Sequence, residues 1–483
     1  MITAFVDMVG LLMVIPLLPF YATDLGGGGL MVGVLVSAFS AAQLLSAPLW
    51  GRVSDRYGRR PALLVGLFAS AIAYVVFAYA QSLTVLLLSR LVQGAGGGTV
   101  GVVQAYVADA TEPQNRARSL GWLSAATNVG VTIGPLLGSA SLGWGGRSAP
   151  GLMAAGLCLA NMLFAWKFLP ESRVVSRDET GAPPRRPREA VMRVITNPGE
   201  AAPRLIWIYA IGMGAFSGFT AVLALFLAAR FGFTEHNIGY VFAWNGAISV
   251  LMRALVLGPV VDRFGEARLS RAGQALLGTG LFLVPFTWYL AGGFTTRLPS
   301  VLAGRFELEP WALAALGFAI VLGLVLLVRR NRAFGATPVL PWATGVALAG
   351  AALAFWAMRA DGPLAVSVPS TIPVEWSDVA LLLAISLVPV GTAFTFPCVT
   401  SLLSQVILPR ERGVMMGVQQ TFGGATRVLG PLWAGWSFDH IGPQYPFVTS
   451  AILVLGTIFL GLGIEARARP GPEAATAAAP SRA

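Results

Sequence analysis

A chain of 483 residues that is 55% apolar and only 11% charged has too few charges to coat soluble cores of its own size. A formal net charge of +11 would suit nucleic acid in a soluble protein; with a mean hydropathy of +0.71 it suits basic loops facing anionic lipid, so no nucleic-acid partner is expected. Cys158 and Cys398 both lie inside apolar runs, which argues against a disulfide framework.

Apolar runs of about 18 residues or more, enough to cross a roughly 30 Å hydrocarbon layer, recur along the whole chain. In order they fall at 2–21, 31–50, 62–80, 83–109, 117–145 and 149–169, then at 204–229, 235–257, 272–294, 311–328, 339–358, 379–408, 413–437 and 445–464. The sequence predicts an all-α polytopic membrane protein with fourteen transmembrane helices. The first run has no basic residues before it, carries Asp7, Pro16 and Pro19, and is followed by no small-x-small cleavage site, so it reads as a retained helix rather than a signal peptide. Met1 directly precedes it, which leaves an upstream start open. A polar segment at 170–203 separates the sixth and seventh runs, and the Pro/Ala-rich tail 466–483 is expected to be disordered.

Arginine placement orients the chain. With the N-terminus inside, 24 of the 33 Lys and Arg fall on the cytoplasmic side and five (Arg147, Arg230, Arg297, Arg305, Arg359) outside. That bias predicts cytoplasmic N- and C-termini in a cell (inner) membrane. The segment "GRVSDRYGRRP" at 51–61 then lies inside, between spans two and three.

The chain repeats itself. "GRVSDRYGRRP" is echoed by "GPVVDRFGEAR" at 258–268, an offset of 207, and Pro113, Arg116, Gly121, Gly134 and Pro135 recur as Pro409, Arg412, Gly417, Gly430 and Pro431, an offset of 296. The growth in offset matches two extra spans and their loops. The domain plan is therefore a six-helix bundle at 1–169, a cytoplasmic linker at 170–203, and a second bundle split into 204–294 and 379–465 by an inserted transmembrane hairpin at 295–378. A duplicated six-plus-six helical chain is the plan of a rocking transporter that holds substrate between its halves.

Several segments carry chemistry on this plan. Gly134-Pro135 removes a helix hydrogen bond and is expected to bend span five, while the small residues around it let a neighbour approach closely; ordinary membrane-helix packing is the bland alternative. Charges within spans are costly and usually functional, which singles out Asp7, Arg90 and Arg427; a structural cation holding backbone carbonyls is an equal reading for Arg427. Arg253 reads as a snorkelling residue. Gln43, Gln93, Gln104, Asn128, Asn245, Gln419 and Gln420 could line a polar cavity or join helices, and Phe39 and Trp244 could wall a flat hydrophobic substrate or merely pack. His236 and His440 have no metal-ligand spacing, and "GAGGGTVG" lacks the lysine of a phosphate loop, so no enzyme chemistry, metal or cofactor is expected.

"GRVSDRYGRRP" resembles the signature loop between helices two and three of the major facilitator superfamily. "FVDMVGLLMVIPLLP" looks like the first helix of its drug/proton antiporters, "LLLSRLVQGAGGGTVG" is similar to its fourth-helix pattern, and "GVTIGPLLG" resembles the fifth-helix motif of exporters. "YVADATEPQNRARSLG" and "FLPESR" add likeness to bacterial tetracycline and multidrug exporters. The inserted hairpin has no place in the usual twelve-helix pattern.

The resemblance implies two six-helix bundles of the major facilitator fold. It implies a latch at the cytoplasmic gate formed by Gly51, Asp55, Arg56, Gly58, Arg59 and Arg60 with Asp109, echoed by Asp262 and Arg263. In the family that acid pairs with arginines and with a helix N-terminus of the opposite half when the protein faces outward. Gly130, Gly134, Pro135 and Gly138, with Gly430 and Pro431, would be the antiporter bends. Asp7, Arg90, Gln93, Asn128, Asn245, Gln419, Gln420 and Arg427 would form the proton and substrate pathway. The function so implied is monomeric, proton-driven export of small drug-like molecules. A sugar or metabolite carrier, or a non-transporting sensor or enzyme on the same fold, is the alternative.

Overall fold

The computed structural model describes residues 1–98, 100–112, 115–172, 187–290, 295–299, 304–308, 364–368, 371–407 and 411–463. The first half holds α1 (Ile2–Val14), α2 (Leu18–Asp24), α3 (Gly29–Tyr57), α4 (Arg59–Ala78), α5 (Leu83–Gly97), α6 (Val100–Asp109), α7 (Arg116–Gly145) and α8 (Ala149–Phe168). After α9 (Pro187–Thr196) come α10 (Ala201–Phe231), α11 (Ile238–Leu251), α12 (Leu257–Phe264) and α13 (Glu266–Leu283), then α14 (Trp376–Val406), α15 (Arg412–His440) and α16 (Tyr445–Leu460). Among the described residues eight stretches are long and apolar enough to cross a membrane, one of which, Ser119–Phe168, takes in two helices; Tyr445–Leu460 is a shorter apolar helix. The expected crossings at 311–328 and 339–358 and the tail at 466–483 lie outside the described residues, so the number fourteen is not established.

Glycine sets the sharpest corners. Gly58 between α3 and α4 has φ +107° and Gly265 between α12 and α13 has φ +77°, a left-handed region where a Cβ is strained. They occupy equivalent places in the 207-residue echo, so the repeat in sequence is a repeat in backbone geometry.

Within the linker 170–203, α9 lies against α10 and α15, with the Trp207 indole N–H donating to the Val194 carbonyl at 3.3 Å and Arg193 paired to Glu200 at 2.7 Å. Pro135 lies inside α7, which is helical on both sides of it. On either side of the expected crossings at 311–328 and 339–358, the described residues form short strands. β1 (Thr295–Pro299) pairs antiparallel with β4 (Thr371–Glu375), and β2 (Gly304–Leu308) pairs with β3 (Leu364–Val368). Those segments are rich in Thr, Val and Leu, which suit an extended backbone.

The two halves meet through α3 against α15 and α7 against α11. The largest buried apolar cluster joins both halves, bringing Leu18, Tyr21 and Leu35 together with Phe219, Phe226 and Phe447. Toward the end that carries "GRVSDRYGRRP", each buried cluster stays within one half: Ala62, Leu63 and Val102, or Ala4, Val107 and Leu123, in the first, and Leu205, Val399 and Met415 in the second. The molecule is sealed at one end and parted at the other.

Candidate functional site

Glycine contacts map the seal. A Cβ on Gly33 of α3 would collide with the Pro431 carbonyl of α15, and one on Gly239 of α11 with the Pro135 carbonyl of α7. A Cβ on Gly246 would lie 2.8 Å from Thr132. At the parted end, Gly51, Gly121, Gly258, Gly413 and Gly417 have open space where a Cβ would go. Small residues thus allow backbone-to-backbone closure at one end only.

Within each half the antiporter glycines face a neighbour. A Cβ at Gly130 would lie 2.7 Å from the Phe5 carbonyl oxygen and one at Gly134 2.8 Å from that of Val9, while Gly138 abuts Met13, so α1 lies along α7. In the second half Gly430 abuts Gly214 of α10 in the same way. Pro431 has no N–H, which leaves the Arg427 carbonyl without its helical donor; the Ser217 hydroxyl of α10 donates to it at 3.3 Å.

Two polar clasps hold the sealed end. Asp439, at the end of α15, accepts from the Gly29 N–H at 2.7 Å and the Leu30 N–H at 2.8 Å, capping α3 of the opposite half. On the other side of the interface the Ser139 hydroxyl donates to the Glu235 carbonyl at 2.8 Å and accepts from the Gly239 N–H at 3.1 Å, at the start of α11. These residues escaped the sequence reading because their partners are about 100 to 410 positions away. The usable signal was an acid at a helix end in a chain with few charges.

At the parted end, Arg59 bridges two acids, with Nη1 2.7 Å from Asp55 and Nε 3.1 Å from Asp109. Nη1 also donates to the Ser54 hydroxyl at 2.7 Å. Glu171, also missed, caps α4 by accepting from the Arg59 and Arg60 N–H groups at 2.9 and 3.1 Å. Arg60 reaches the Trp166 carbonyl, and Arg56 lies over the Tyr57 ring. Every one of these contacts stays within the first half. The echoing Asp262 and Arg263 are exposed, with Arg263 over Phe264.

The intramembrane charges are not paired with each other. Asp7 is half-buried near Tyr74, itself beside Gln93, Cys158 and Arg90. Arg90 is fully buried with its guanidinium over Phe77, and its Nε and Nη2 have no hydrogen-bond partner among the described residues. Among those residues none of Asp7, Arg90, Arg253 and Arg427 forms an ion pair.

In the second half a cavity of about 440 Å³ is lined by residues of α10, α14 and α15, among them Tyr209, Phe396, Thr400 and Met416. Arg253 also lines it and does not run out to the surface: its Nη1 donates to the Asn128 side-chain oxygen of α7 at 3.0 Å. Gln419 is buried behind this wall, donating to the Thr400 hydroxyl at 3.3 Å, whereas Gln420 is exposed and the Asn245 side-chain oxygen is buried without a partner among the described residues. Of the residues singled out in the sequence, Arg253 lines the cavity, with Asn128 and Gln419 bonded to its lining residues, while Asp7, Arg90 and Gln93 lie inside the first bundle.

The family model described as Major Facilitator Superfamily matches residues 1–304 and 309–482. The chain belongs to that superfamily. It is 33% identical over 288 residues to the class C tetracycline resistance protein of Escherichia coli, covering 59% of this chain and 72% of the relative. To multidrug resistance protein 2 of Bacillus subtilis it is 29% identical over 300 residues, covering 61% and 72%. A crystal structure of a mutant of the nucleoside transporter NupG superposes with a TM-score of 0.66 at 12% identity, over 96% of this chain and 98% of that one, which shows the shared fold. As a major facilitator the protein is a multi-pass membrane transporter of a small-molecule substrate, working by alternating access between its two bundles.

Proposed function

We propose that the protein exports small, flat, hydrophobic molecules in exchange for protons across the cell membrane, as a monomer and without a cofactor or catalytic chemistry. Both termini and the "GRVSDRYGRRP" loop are cytoplasmic on this reading, so the structure is an inward-facing state with its outer end sealed. What carries the reading is the relationship to tetracycline and multidrug resistance proteins, each matched over more than 70% of its length. Asp7 supports the coupling: it is the acid among the intramembrane charges singled out, and it has no ion-pair partner among the described residues. An acid so placed can take a proton on one side and lose it on the other as access alternates.

In proteoliposomes, Asp7→Asn is expected to abolish substrate accumulation driven by a proton gradient while substrate binding stays detectable. Concentration of substrate by that variant under the same gradient would move the coupling site to Asp109 or to another ion.

A further inference from the structure

Between α11 and α12 the helix widens into a π turn over Met252–Val256. Such turns cluster at functional positions because one extra residue re-aims the side chains around it. Pro259, three residues past the turn, has no N–H to give the Leu255 carbonyl within it, which accounts for the widening. The residue it carries is Arg253, hydrogen-bonded across the interface to Asn128 and set in the cavity wall.

The rest of that wall has a definite chemistry. Tyr209 and Phe396 meet edge to face at 5.4 Å, Met416 adds a soft apolar surface, and Thr400 and Ser404 present hydroxyls. A volume of about 440 Å³ lies within the roughly 300–1,000 Å³ usual for small-molecule sites. Arg253 Nε is buried with no hydrogen-bond partner among the described residues, and Arg253 has no ion-pair partner there. Glu266, which is not part of the lining, accepts from the Ser401 hydroxyl at 2.6 Å and the Gln405 amide at 2.8 Å, whereas Arg253 donates to Asn128. A part-buried guanidinium on the cavity wall with no counter-ion among the described residues favours a planar anion, and it repels a cation.

We propose that this cavity selects substrates that carry an anionic group on a flat aromatic body, with Arg253 as the counter-charge and Tyr209 and Phe396 as the apolar walls. The inference rests on the export reading only for the direction of movement; the binding preference stands on the cavity itself.

Fluorescein and rhodamine 123 test it, since they share a tricyclic ring system and differ in the sign of their charge at neutral pH. Fluorescence anisotropy with the full chain in phosphatidylcholine nanodiscs is expected to show fluorescein binding about tenfold or more tightly than rhodamine 123, a difference of roughly 1.4 kcal/mol. Arg253→Gln should remove that preference by weakening fluorescein, and Arg253→Lys should restore part of it. Equal or tighter binding of rhodamine 123 by the wild type, no saturable fluorescein binding, or unchanged fluorescein affinity in Arg253→Gln would each overturn the proposal. Proteoliposome transport separates it from the export reading. Arg253-dependent fluorescein binding without proton-driven movement keeps the inference and removes export; proton-driven movement of rhodamine 123 alone keeps export and removes the inference.

Discussion

The first N–H groups of α3 have no carbonyl one turn earlier to accept their hydrogen bonds, and both oxygens of Asp439 fill that place. Hydrogen bonds to a charged group contribute about 1.5–3 kcal/mol each. Asp439→Asn keeps the shape but removes the charge, so it is expected to weaken the sealed end and shift the population about tenfold toward opening there. Faster thiol labelling of a cysteine placed at Leu30 would report the shift; an unchanged rate would show that the apolar seal alone suffices. Asp55 should behave in the opposite sense. Here it is 63% exposed and, among the described residues, paired only with Arg59 four residues on, a pairing worth about 0.3–0.5 kcal/mol. Asp55→Asn should therefore leave this conformation nearly unchanged and destabilise the state in which the "GRVSDRYGRRP" end is closed. The expected readout is turnover falling more than substrate affinity, and equal loss in both would count against a gating role.

Helices α7 and α15 do the same work in the two halves. Each lays a glycine against the first helix of its own half and presents a proline carbonyl to a glycine of the other half, Pro135 to Gly239 and Pro431 to Gly33. Even one carbon added at Gly33 meets backbone rather than a movable side chain, so the contact can be relieved only by parting the helices. Gly33→Leu is expected to disfavour the sealed end, cutting transport severely while the protein still folds and a cysteine placed at Gly51, at the parted end, becomes less reactive. Near-normal transport would mean that α3 and α15 close by a route other than the one seen here. The glycine and proline positions were visible in the sequence as a repeat, but which helix each one touches was not, since spacing along one helix carries no address for its neighbour.

On the scale of the whole molecule, the insertion leaves and rejoins the second bundle at one place, because β1 and β4 align Thr295 with Glu375 and Pro299 with Thr371. Antiparallel partners can be joined by a turn of two to five residues. Replacing 300–370 with a short Gly/Asn turn is therefore expected to leave the remaining spans in place and transport largely intact. Loss of transport in a deletion that still purifies as a folded monomer would show that the inserted segment takes part in the cycle.

The sequence by itself determined that this chain crosses a membrane many times, that it is built from two related halves with an insertion in the second, and that charges at 51–61 sit at a helix junction. Those properties follow from local quantities: hydropathy over a span's length, basic residues in loops, and glycines whose φ the turn demands. Only the tertiary structure decided which end is sealed, that Asp439 and Ser139 clasp it, and that Arg253 turns into a cavity instead of toward the surface. The physical reason is the same in each case: the partners sit on different helices, 96 to 410 residues apart, and a hydrogen bond made by packing two bundles together leaves no period in either sequence segment.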